Sequence, residues 1–96
     1  MKKTFPLQAP GKDDARVRDK IRQEVNKYTR RELRKPLPEG FARWEFACKV
    51  GATVADAQPR TLKEVGAAID TVAQAGAAQV YVEIEGAPAK RARAVE

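Results

Sequence analysis

Between Gly11 and Pro36 the chain runs without a single glycine or proline, and its apolar residues there recur at helical spacing. Val17, Ile21, Val25 and Tyr28 follow one another at intervals of four, four and three, which confines them to an arc of about 80°. This pattern predicts one long amphipathic helix within Lys12 to Lys35. Asp13 or Asp14 suits its N-cap and first turn, and the Pro36-Leu37-Pro38-Glu39-Gly40 loop excludes its continuation. About 22 residues of helix extend for about 33 Å. Leu33 lies off the apolar stripe and is expected to be poorly packed.

The remaining chain has to supply what this helix packs against. Phe41 to Gly51 alternates, with Trp44, Phe46, Cys48 and Val50 on one side and Arg43, Glu45, Ala47 and Lys49 on the other, as a half-buried strand requires. Val80, Val82 and Ile84 alternate in the same way with Gln79, Tyr81, Glu83 and Glu85, ending near Gly86. Lys3 to Leu7 reads as a short strand at or near a sheet edge, because Pro6 cannot donate to a ladder. Gly51 to Pro59 reads as loop. Thr61-Leu62-Lys63-Glu64 is a capping box that opens a second helix, with Leu62, Val65, Ile69 and Val72 as its buried stripe and Gly76 at its C-terminal left-handed position.

The order strand, helix, strand, helix, strand predicts an α/β (α+β) two-layer sandwich. Three strands would form one sheet, with both helices on one face. The second helix is taken as a crossover between the two long strands, which favours parallel pairing. An arrangement with the short first strand between the long ones is equally compatible. If the long strands are neighbours, Arg43 and Lys49 sit across from Glu83 and Glu85. Residues 1–86 form the domain, and 87–96, with Lys90, Arg91 and Arg93, a basic disordered tail. Seventeen alanines among 96 residues leave few large core side chains, so the layers should be thin.

Charge is unevenly placed. Lys12 to Lys35 carries ten Lys or Arg against five Asp or Glu, a surplus that is nearly the whole formal charge of +6. Residues 1–48 hold 13 basic and 7 acidic groups, and 49–96 hold 6 of each. On a helical projection Arg16, Lys20, Lys27, Arg31 and Arg34 fall within about 60° of arc, with Arg30 on its flank. Arg18 and Arg22 border the opposite side of the apolar seam. Solvated helix faces usually alternate sign at i, i+4, yet Arg16 to Lys20, Lys27 to Arg31 and Arg30 to Arg34 are like-charge pairs, each costing about 0.2 to 0.5 kcal/mol. Arg30, Arg31 and Arg34 are partly compensated by the negative end of the helix dipole. The central cations are not, and they point to an extended polyanion: nucleic acid, RNA ahead of DNA, contacted by Arg16, Lys20, Lys27, Arg30, Arg31 and Arg34. An acidic protein partner, or a protein-interaction or homodimer role for the open sheet face, is the alternative.

Other chemistries find little support. The chain has no histidine and one cysteine, so the usual zinc and iron ligand sets and an internal disulfide are excluded, and no Asp-rich calcium loop occurs. Cys48 lies on an apolar strand face with no base to activate it. No Gly-rich phosphate loop is present. Neither catalysis nor a cofactor or metal is expected. Tyr81 is read as a surface cross-strand residue beside Glu83 and Glu85, whose charge would repel phosphate, and Trp44 as a core anchor. Nothing resembles an apolar signal segment or a membrane span, and a cytoplasmic protein is expected.

The opening Lys2-Lys3-Thr4-Phe5-Pro6-Leu7, the KPLPEG segment from Lys35 to Gly40 and the WEFACK run from Trp44 to Lys49 resemble a family of short bacterial cytosolic proteins of unknown function. The resemblance spans most of the chain to about Glu85. It implies a shared fold and brings no activity, ligand or catalytic residue.

Overall fold

A computed structural model describes residues 1–90. The chain forms β1 (Lys2–Pro6), α1 (Asp14–Leu33), β2 (Arg43–Gly51), β3 (Gln58–Arg60), a single 3-10 turn (Leu62–Glu64), α2 (Val65–Gln74) and β4 (Gln79–Ala89). The strands make one four-stranded antiparallel sheet in the order β1-β4-β2-β3. The expected α+β class is found, with one strand more than the sequence indicated.

Register assigns the two sheet faces. Cys48 pairs with Ile84, Val50 with Val82 and Phe5 with Val80, so these residues share one face. They join Ile21 and Val25 of α1 and Val65, Ala68 and Ile69 of α2 in a single core, which places both helices on that face. Val80, Val82, Ile84 and Ile69 are wholly enclosed. The first half of β2 is looser: Trp44 and Phe46 are only half-buried. Trp44 faces the helix side but anchors by a hydrogen bond, its indole Nε1 donating to the Lys35 carbonyl at 3.1 Å, where deep core burial was expected.

The long strands are neighbours, and they are antiparallel where parallel pairing was expected. Helix length explains the difference. β2 is nine residues, about 30 Å, whereas α2 is ten residues, about 15 Å, too short to carry the chain back along the whole of β2. A hairpin reverses the chain first. The turn after Gly51 leads into β3, whose Arg60 pairs with Cys48, and α2 then returns the chain to the Gly51 end, where Tyr81 of β4 pairs with Gly51. Residues 58–60, read as the end of a loop and the approach to a helix, are therefore an edge strand. Lys49 stands directly opposite Glu83, as expected for neighbouring strands, while Arg43 faces Ala89 and Glu85 faces Ala47. β1 occupies the far edge beyond β4, so the arrangement with β1 between the long strands does not occur.

Two local devices shape the ends of these elements. The Thr61 N–H donates to Glu64 Oε1 at 2.9 Å, closing the capping box that starts the 3-10 turn and α2. Gly76, at φ 89°, turns the chain out of α2 in a conformation that side chains disfavour. At the other end, Ala87–Ala89 continue β4 by pairing with Arg43–Glu45, which corrects the expectation of a disordered tail from Ala87. Lys90 follows as exposed coil, and Arg91 and Arg93 lie outside the described residues.

Candidate nucleic-acid interface

α1 lies across the sheet with its two flanks in different surroundings. Ile21, Val25 and Thr29 face the core. On one shoulder Arg18 donates to Asp70 Oδ1 of α2 at 3.1 Å, and Arg22 donates to the same oxygen and to Asp19 Oδ1 at 3.1 Å. These two arginines belong to the contact between the helices. On the other shoulder Glu24 accepts from Lys3 of β1 at 3.1 Å, so this flank borders the β1 edge.

The predicted cations occupy that second flank. Arg16, Lys20, Lys27, Arg30, Arg31 and Arg34 are all exposed, and among the described residues none forms an ion pair. Arg31 instead lies 5.9 Å from the Tyr28 ring centre, a cation–π distance. Other basic groups are matched, Lys35 with Glu32 at 2.7 Å, Lys2 with Glu85 at 3.3 Å and Arg43 with Glu45, whereas Lys12 in the loop before α1 has no ion pair among the described residues. The helix thus sorts its cations into a structural set and an unmatched row. From Arg16 to Arg34 that row runs for about 27 Å along α1.

Between the row and β1 lies a groove of about 720 Å³, lined by Phe5 and Pro6 of β1, by Ala9 and Lys12 of the connecting loop, and by Arg16, Val17, Lys20 and Ile21 of α1, among others. Two predicted site residues, Arg16 and Lys20, therefore stand on the rim of an open, largely apolar cleft. Sequence reading missed this cleft, because Lys12 and Pro6 meet α1 only through the chain reversal between β1 and the helix. It also missed the partner of Arg18 and Arg22. The signal was available: Asp70 is the sole charged residue between Glu64 and Glu83, standing on an otherwise apolar and small-residue helix.

The opposite sheet face is self-contained. Tyr81, expected at the surface, is 5% exposed, and its hydroxyl donates to Glu83 Oε1 at 2.7 Å. That bond, and then burial, push its ionisation above the ordinary tyrosine value. Cys48 is buried in the core, where desolvation raises its thiol. Among the described residues no group of three or more His, Cys, Asp or Glu converges on a metal-sized space, and no helix is long and apolar enough to cross a membrane.

A family of unknown function (DUF6172) has a model that matches residues 1–95 of this chain. The chain belongs to that family. No curated protein and no solved structure matches it. The match takes in β1, the 35–40 loop and β2, the three segments that carried the resemblance, and these serve the fold: Phe5 and Cys48 fill the core and the loop receives the Trp44 indole. In this member of DUF6172 the geometry outside those segments is that of a cationic row beside an apolar cleft.

Proposed function

We propose that the protein binds nucleic acid through the outer flank of α1, RNA ahead of DNA, by contacts to the phosphate backbone with little base readout. The carrying observation is the sorting of cations: Arg18 and Arg22 of α1, and Lys35 just beyond its end, have carboxylate partners, whereas Arg16, Lys20, Lys27, Arg30, Arg31 and Arg34 have none among the described residues. Leaving cations unmatched in a row costs repulsion within the helix, and phosphates would relieve it. Arginine supplies four of the six, and its planar fork suits phosphate oxygens. One straight row follows a single strand more readily than the two strands of a duplex, which puts a single strand ahead of a duplex. On the open sheet face Lys2 pairs with Glu85 and Arg43 with Glu45, so that face offers no comparable row of unmatched charge.

The test is fluorescence anisotropy with labelled single-stranded RNA, single-stranded DNA and duplex. Replacing Arg16, Lys20 and Lys27 with Gln should weaken binding at least tenfold while leaving the circular dichroism spectrum unchanged, and replacing Arg18 should cost stability before affinity. Equal affinity for the triple variant and the parent protein would overturn the assignment.

A further inference from the structure

The groove between β1 and α1 has a chemical character that a plain phosphate row does not need. Its apolar lining is formed by Pro6, Ala9 and Val17 over the buried Phe5 and Ile21, with the Lys3 ammonium 4.9 Å from the Phe5 ring centre. Its two carboxylates are already matched, Glu24 by Lys3 and Asp19 by Arg22. Lys12, Arg16 and Lys20 on its rim have no ion pair among the described residues. The cleft therefore suits a ligand with an apolar body and an anionic end. Its volume of about 720 Å³ lies within the range of about 300–1,000 Å³ usual for small-molecule sites.

We propose that this groove receives one unstacked nucleotide of a bound single strand, the base lying on the Pro6, Val17 and Ile21 surface and its phosphate on Lys12, Arg16 and Lys20. The proposal rests on the nucleic-acid reading of α1 and deepens it. Continuity carries the choice of occupant: Arg16 and Lys20 belong both to the rim and to the row that continues through Lys27 to Arg34, so a strand whose phosphates follow the row brings a base to the cleft. Gln23, also lining the cleft, offers an amide donor and acceptor to a base edge. An acidic peptide added as a strand along the β1 edge fits less well. Pro6 removes a donor from that short strand, and main-chain hydrogen bonds are what such an addition depends on.

Amide chemical-shift mapping on the full chain separates the cases. Adenosine 5′-monophosphate and uridine 5′-monophosphate should shift Phe5, Ala9, Val17 and Ile21 together with Lys12, Arg16 and Lys20, whereas inorganic phosphate should shift only the cationic rim. Filling the cleft by Val17→Phe, or by Ala9→Trp if the first variant fails to fold, should abolish the nucleotide shifts. Either variant should also lower single-stranded RNA affinity about tenfold, with the salt dependence unchanged. RNA binding that persists without nucleotide shifts in the cleft, or without loss in both filled variants, would overturn the cleft site and leave the helix reading standing. Absence of RNA binding altogether would overturn both. Tighter occupation of the cleft by a poly-glutamate peptide than by either nucleotide would replace the base with a protein ligand and overturn the proposal.

Discussion

Arg18 of α1 donates to Asp70 of α2 at 3.1 Å, and Arg22 reaches the same carboxylate oxygen. One acidic side chain thus holds two arginines of a strongly basic helix against its neighbour. Asp70→Asn should destabilise the fold by about 1 kcal/mol, the scale of a partly exposed ion-pair network, read as a lower urea midpoint. It should leave RNA affinity equal or slightly higher, because it removes one negative charge and frees two arginines whose own charge is unchanged. A marked loss of affinity would mean that the inter-helix shoulder takes part in binding.

Gly51 sets a steric limit on the β2–β3 hairpin. A Cβ built there would lie 2.7 Å from the Ala57 backbone, closer than any real contact. Gly51→Ala should therefore cost about 1–3 kcal/mol by forcing the hairpin open, measured by chemical denaturation. Gly86→Ala is expected to be milder, because the approach is 3.1 Å to the edge of the Phe46 ring, which is only half-buried and can shift.

The Glu64 carboxyl is held below its ordinary value of 4.5, first by the Thr61 backbone N–H and then by the Thr61 hydroxyl. A depressed carboxylate contributes stability that is present above the unfolded-state value and is lost as pH falls through the folded one. Urea midpoints followed downward from neutral pH should fall below about pH 4.5, and Glu64→Gln should flatten that acid limb while lowering the midpoint at neutral pH. An unchanged acid limb in the variant would show that the capping box does not contribute to it.

Cys48 is buried at 4% exposure, and desolvation raises its thiol above the ordinary range. Ellman's reagent should react with it only as fast as the structure opens, so the native rate should be far below that of the urea-unfolded chain and should rise with added denaturant. Immediate reaction in native buffer would contradict the packing described for β2.

The strands and helices that bury apolar residues were legible, because their period is set by what each face touches. Val80, Val82 and Ile84, Cys48 and Val50, and Ile21 and Val25 of the helical stripe stand in the core as their spacing implied, with Val17 partly buried against it. The elements missed have no such signature. Gln58, Pro59 and Arg60 become a strand only because the backbone of β2 offers them an edge, and Ala87–Ala89 extend β4 through pairing with Arg43–Glu45. Tyr81 looked exposed by alternation but sits in the interior of a four-stranded sheet, between Thr4 and Gly51. Strand direction was likewise hidden, since it depends on a hairpin whose residues carry no apolar pattern. At the candidate interface the positions of the cations were readable from helical periodicity alone. Which of them are already matched was not, because Asp70 reaches Arg18 and Arg22 from an element distant in the chain.

The most direct test of the account is the salt dependence of single-stranded RNA binding by the parent protein and by the variant carrying Arg16→Gln, Lys20→Gln and Lys27→Gln. With about five phosphates neutralised, log K should fall against log salt with a slope near −3.5, and the variant should bind more weakly with a slope shallower by about 2. Absence of binding at low salt, or a slope that the three substitutions leave unchanged, would contradict a polyanion-binding role for the outer flank of α1.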